Sequence, residues 1–366
     1  MTAGRLFSEA AMIPAAHASR QPVPADSIPA PAPLQPTGWQ QALRQAVRDP
    51  VELLQLLGLD PAALGMSAEA AAQFPLLVPR GFLARMRHGD PHDPLLRQVL
   101  PLDAEMRVLP GFGFDAVGDA AARSATGVIQ KYAGRALLVS TGSCAIHCRY
   151  CFRRHFPYGE QTAARGHWAE AVARIGADDS IDEVILSGGD PLSLSTAKLA
   201  ELTEALLDIP HLKRLRIHSR LPVVLPERVD APLLQWLSGL PWPVAFVLHA
   251  NHANEFDAQV DAALADLRGT GATLLNQAVL LRGVNDSVDA LADLSERGFA
   301  AGVLPYYLHQ LDRVQGVAHF EISDTLALSL HAQLAARLSG YLVPRLVREI
   351  PGDTGKRALA ASRHFS

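Results

Sequence analysis

Between residues 135 and 310 the chain alternates short apolar runs with longer amphipathic stretches. The runs are ALLVS (136–140), EVILS (183–187), RLRIHS (214–219), VAFVLH (244–249), LLNQAVLL (274–281) and GVLPYYL (302–308). Between them lie HWAEAVARI, TAKLAELTEALL, DAPLLQWLSG, DAQVDAALADLRG and SVDALADLSERG, several ending at Gly as a helix C-cap does. Continuous apolar strands separated by helices predict a parallel α/β sheet covered by helices, either a six-strand open barrel or a doubly wound sheet. In both forms the polar residues at the strand C-termini line the site. Here those residues are Ser140 to Gly142, Ser187 to Asp190, His218 to Arg220, His249 to Asn251 and Leu308 to Gln310.

Upstream the rhythm differs. From Trp39 to about residue 100, QQALRQAVRD, VELLQLLGL and AEAAAQF place apolar residues three and four apart, which predicts a helical region over 38–100. Leu100 to Gln130 is rich in Gly and Asp and reads as an irregular connection. Residues 13–37 are rich in Pro and Ala with few large apolar groups, so 1–37 is expected to be a poorly ordered arm. The expected organisation is that arm, the helical region, a connection over 101–134, a barrel over 135–322 and a C-terminal segment over 323–366.

Composition removes several classes of function. With 33 Lys and Arg against 37 Asp and Glu, the net charge is -4, and no global field draws the chain to nucleic acid or an anionic membrane. Glu9 and Pro14 interrupt the first residues, and no later run reaches the ~18 apolar residues of a membrane span. A small-molecule partner and a reducing cytoplasm are expected.

All three cysteines of the chain, Cys144, Cys148 and Cys151, fall within CAIHCRYCFRRHF, directly after the first barrel strand. With His147 or His155 they can be written as a Cys3His zinc site. Zinc pairs usually come as separated CxxC knuckles, however, and CxxxCxxC on one loop puts three thiolates around one small face. A 4Fe-4S cluster on three cysteines keeps one iron open to a substrate or cofactor.

CxxxCxxC with Tyr150 before the last cysteine resembles the radical S-adenosylmethionine (SAM) signature. Taken with CFRRHF, LSGGDPL, SRLPVVLPERV, HANHANE, NQAVLLRGVND, PYYLHQLD and SGYLVPRL, the chain resembles the lysine 2,3-aminomutase family from about residue 74 to its last residues. The resemblance implies an open (β/α)6 partial TIM barrel whose 4Fe-4S cluster binds SAM and cleaves it to methionine and a 5′-deoxyadenosyl radical. It implies that Ser187, Gly188, Gly189 and Asp190 approach the methionine part of SAM, and that His249 and Gln277 meet the adenosyl part. It also implies that Lys356, in REIPGDTGK, carries pyridoxal 5′-phosphate (PLP), with Tyr132 on the PLP ring and Arg135 on its phosphate. Lys131 stands where the family often has Arg.

For the substrate, the resemblance makes Arg153 the carboxylate-binding arginine and Asp312 and Glu349 the acceptors of a side-chain ammonium. Glu349 departs from the family's Asp. The reaction implied is lysine to β-lysine. The chain lacks the additional C-terminal cysteines of the clostridial type, and so resembles the short branch that makes (R)-β-lysine for translation elongation factor P. Such an enzyme draws electrons from a flavodoxin or ferredoxin and is linked to elongation factor P and its β-lysine ligase. The rivals are an aminomutase for another amino acid, such as glutamate, and a non-enzymatic iron-sulfur or zinc protein.

Overall fold

The computed structural model describes residues 38–163 and 168–359. The expected arm over 1–37 and His167, at the start of HWAEAVARI, lie outside them, as does 360–366.

Five short helices come first: α1 (Gly38–Arg44), α2 (Pro50–Leu56), α3 (Ala68–Gln73), α4 (Arg80–Leu83) and α5 (Pro94–Arg97). Side-chain caps set three of their starts, since Asp49 accepts from Val51 N, Ser67 from Ala70 N, and Asp93 from both Leu95 N and Leu96 N. A single cluster of buried apolar side chains runs from Trp39 through Leu53, Phe82 and Leu96 to Leu346, so these helices share the core of the sheet.

The stretch read as an irregular connection contains two strands. β1 (Arg123–Ala125) and β2 (Val128–Tyr132) form a hairpin that runs antiparallel onto β3 (Arg135–Thr141). Gly127 and Gly134 take positive φ at the two turns, +74° and +77°, where a side chain would be strained. β1 has only three, mostly exposed residues, which is too short and too wet to leave an apolar pattern.

From β3 the order is the expected one. It continues α6 (Ala169–Gly176), β4 (Glu183–Gly188), α7 (Thr196–Leu207), β5 (Arg214–Ser219), α8 (Leu221–Val224), α9 (Ala231–Ser238), β6 (Val244–Leu248), α10 (Ala258–Gly269), β7 (Thr273–Val279), α11 (Val288–Ala300), β8 (Leu304–His309), α12 (Asp324–Arg337), β9 (Arg345–Arg348) and β10 (Arg357–Ala358). β3 to β9 pair in parallel, one strand beyond the six apolar runs, and β10 returns antiparallel. Every residue of β4 is buried, as a central strand covered on both faces requires.

The ten strands hydrogen-bond in chain order. In a flat sheet β2 and β9 would be far apart, yet Lys131 Nζ on β2 lies 2.7 Å from Glu349 Oε1, just beyond β9. The sheet therefore curls until its two sides meet across side chains, without a closing ladder. This is an open barrel rather than a doubly wound sheet. No described helix is long and apolar enough to cross a membrane.

Candidate functional site

The cysteine loop starts where β3 ends and is held against the end of β4. Gly189 N donates to Thr141 O and Asp190 N to Ser143 O, each at 2.7 Å. Gly188 has φ +121°, and a Cβ on Gly189 would lie 2.4 Å from Ser143 O. The two glycines are thus required by backbone packed on backbone, a need that exists before any ligand is considered. Asp190, assigned from the sequence to cofactor binding, has both carboxylate oxygens engaged: Oδ1 accepts from Ser219 Oγ and Leu192 N, and Oδ2 from Arg220 N. It braces β4 against β5. Burial lifts its carboxyl to about 6 despite those bonds.

Cys144, Cys148 and Cys151 are free and partly buried. Burial raises the Cys144 thiol well above the ordinary range, with Asp190 and the other two sulfurs adding to the rise. Cys151 is pushed up to about 11 by burial and then by Cys148. The three sulfurs therefore sit close enough to feel one another's charge. Arg220 Nη1 donates to Cys148 Sγ at 2.7 Å. Of the histidines weighed as a fourth zinc ligand, His147 places Nδ1 2.7 Å from Pro75 O and stacks on Phe74, and His155 places Nε2 3.1 Å from Gln315 O. Among the described residues no three His, Cys, Asp or Glu side chains converge as ligands of a single ion would. The donor set, three sulfurs on one loop with a buried cation at one of them, fits an iron-sulfur cluster.

A second group of residues is joined to this loop by charge. Arg153 Nη1 donates to Ser187 Oγ at 3.3 Å, and its Nε donates to Asp119 Oδ2 at 2.7 Å. Asp119 pairs with Lys131 at 2.6 Å, Lys131 with Glu349 at 2.7 Å, and Glu349 with Lys356 at 2.8 Å. Arg153, Lys131, Glu349 and Lys356, chosen from distant stretches of sequence, thus form one relay with Asp119 as the link. Asp119 was not foreseen, because a lone Asp in a Gly- and Asp-rich connection carries no periodic signal. Burial acts to raise the Glu349 carboxyl, but the ammonium groups of Lys356 and Lys131 outweigh it and bring it down to about 2. Glu349 therefore already serves two cations of this chain.

Asp312 is different. Burial, and then the charge of Glu349, lift it to about 7. It faces a cavity of about 530 Å³ bordered also by Phe112, Arg313, Arg348, Glu349 and Pro351.

Inside the barrel, His249 and Gln277 contact each other, with Nε2 atoms 3.0 Å apart. Burial holds His249 neutral, with a pKa of about 3 that nearby cations also depress. Arg135 lays its guanidinium over the Tyr132 ring at 4.7 Å, and Lys356 Nζ lies 5.8 Å from the centre of the Tyr307 ring. Tyr132 Oη, His218 Nε2 and His309 Nε2 are buried without a hydrogen-bond partner among the described residues. Each such atom costs about 1–3 kcal/mol if left unpaired. An amine, a cation stacked on an aromatic face and orphaned polar atoms in one interior fit an anionic, aromatic carbonyl compound.

The 4Fe-4S single cluster domain matches residues 133–211, a span holding all three cysteines and the Ser187 to Asp190 turn. The L-lysine 2,3-aminomutase of Escherichia coli K12 is 47% identical over 88% of this chain and 94% of its own length. That of Haemophilus influenzae is 44% identical over 88% and 95%. The protein of the same name from Clostridium subterminale is 31% identical over 87% and 76%. On these likenesses, with a cysteine loop at the mouth of an open parallel barrel, the chain belongs to the lysine 2,3-aminomutase family of radical SAM isomerases.

Proposed function

We propose that this protein converts L-lysine to β-lysine, with a 4Fe-4S cluster on Cys144, Cys148 and Cys151, SAM at the same mouth, and PLP on Lys356. The observation that carries the reading is the relay from Arg153 to Lys356, which ties the cysteine loop to the amine and the acidic cavity. When bound, the cluster with SAM supplies a carbon-centred radical, and PLP supplies a conjugated system that stabilises an unpaired electron.

The chain's own residues do the rest. Arg153, held by Asp119 beside Ser187, presents its guanidinium where a substrate carboxylate is read. Asp312 accepts the side-chain ammonium, since Glu349 is committed to Lys131 and Lys356. Glu349 holds the Lys356 amine in place, and Tyr132 with Arg135 borders the PLP ring and phosphate. Ser187, Gly188 and Gly189 line the SAM side, while His249 and Gln277, neutral and paired, offer hydrogen bonds to an adenosyl group. The reaction exchanges a hydrogen and an amino group between neighbouring carbons, so substrate and product have the same atoms and oxidation state.

Two finer readings follow from resemblance. The electron donor is a flavodoxin or ferredoxin, and the product is (R)-β-lysine destined for a lysine of elongation factor P. The greater identity to the Escherichia coli and Haemophilus proteins than to the clostridial one supports the second.

The test uses anaerobically purified protein. Expected are cluster absorption, a borohydride-fixed PLP adduct mapping to Lys356 and lost in Lys356→Ala with iron retained, and β-lysine from lysine with no turnover of glutamate. Colourless protein, an adduct on another lysine, or preference for glutamate would each overturn the corresponding assignment.

A further inference from the structure

Arg220 follows β5 and is only 5% exposed, so its charge has almost no contact with water. Both of its terminal nitrogens are engaged, while Nε has no hydrogen-bond partner among the described residues. The backbone N donates to Asp190 Oδ2 at 2.7 Å, Nη1 to Cys148 Sγ at 2.7 Å, and Nη2 to Gln98 Oε1 at 2.7 Å and Glu255 Oε2 at 2.9 Å. The guanidinium also lies 5.4 Å from the Phe82 ring and 5.7 Å from the Tyr150 ring. Glu255, the counter-charge, is wholly buried and held by Asn251 N, His252 N and Gln98 Nε2. The other three arginines near the loop point their charge elsewhere, Arg149 and Arg154 to Glu105 and Arg153 to Asp119.

A buried ion pair is a costly way to support a loop, since an apolar pair of the same volume does as well or better. What an apolar pair cannot do is place a positive charge and an N–H donor on one sulfur. Hydrogen bonds to cluster sulfurs and local charge are the levers by which a protein sets a cluster's reduction potential. We infer that Arg220 is a positioning residue that also tunes the cluster electronically. Its contact with Cys148 Sγ stabilises the one-electron-reduced cluster, and Glu255 on the far side moderates that pull. The inference rests on the cluster assignment proposed above. Taking up one electron adds one negative charge to cluster and thiolates together, and the guanidinium is in contact while the carboxylate is one group further away. The reduced state is therefore favoured by Arg220 and disfavoured by Glu255.

The test is the midpoint potential of the reconstituted full chain without SAM, titrated with dithionite and followed by electron paramagnetic resonance. Expected is a lower potential in Arg220→Gln than in wild type and a higher one in Glu255→Gln. If Arg220→Gln fails to hold four irons, Glu255→Gln decides by the sign of its shift. An unchanged potential in a fully loaded variant, or iron lost from both, overturns this role and reduces the network to a scaffold for the loop. Absence of any cluster signal from wild type overturns the cluster reading itself, and with it this role.

Discussion

Asp312 and Glu349 border one cavity, and their neighbours put them in opposite states. Glu349 is ionised by its two lysines, whereas Asp312, lifted to about 7 by burial and by Glu349, is half protonated near neutral pH. A lysine side chain, with its ordinary pKa near 10.4, stays cationic over that range. Asp312 therefore gains the ability to pair with substrate as pH rises, and KM for lysine is expected to fall between pH 6 and 8. Asp312→Asn should flatten that dependence. It should also raise KM at pH 8 by about 10- to 150-fold, the equivalent of ~1.5–3 kcal/mol for a charged hydrogen bond. The same slope in variant and wild type would remove Asp312 from substrate recognition. At this scale the sequence identified Asp312, Arg153, Lys356 and the three cysteines as candidates through motifs. It was silent on Asp119, and on the partner that changes what Glu349 does, because Lys131 lies 218 positions away.

One scale up, the seat of the cysteine loop is the contact between the ends of β3 and β4. A methyl group at Gly189 meets Ser143 O at 2.4 Å, and the obstacle is backbone that cannot swing aside. Gly189→Ala is expected to cost about 1–3 kcal/mol by overpacking and to lower iron content, because the loop must shift to accommodate it. Gly269→Ala, at the end of α10 with nothing within 4 Å of its Cβ, should leave thermal unfolding unchanged or slightly raised. Equal melting temperatures for the two variants would show the seat to be pliable. Six of the seven parallel strands were legible from short runs rich in apolar residues, and many helices announce themselves by caps such as Ser195, Asp230, Asp257, Ser287 and Ser323. The β1–β2 hairpin was not legible, being short and half exposed. Nor was the part played by the first helices and the turns between them, which grip the cysteine loop from outside. Leu77 O accepts from His147 N, Gln98 O from Arg149 N, and Glu105 pairs with both Arg149 and Arg154. Contacts of that kind have no period along the chain.

For the whole molecule, strand order equals chain order, so almost every strand finds its partner in the segment just before it. The Lys131 and Glu349 pair is an exception, since it joins β2 to the far side of the barrel, and so is the backbone bridge between Gly113 and Val314. That has a consequence for the order in which the protein folds. Contacts between successive strands cost little loop entropy, whereas the seam can form only after the intervening chain has been wound, and so belongs to the end of folding. Interactions made after the rate-limiting step govern how fast a protein comes apart and leave its rate of assembly alone. Lys131→Met, which keeps the aliphatic length and removes the charge, is expected to speed unfolding in denaturant-jump experiments by about 10- to 100-fold at ~1.4–2.8 kcal/mol. Refolding should proceed at the wild-type rate, and a slowed refolding limb would place the seam early. An open barrel whose two sides are sewn together by charges is thus one whose lifetime in the folded state is set at the seam, by the same residues that border Lys356.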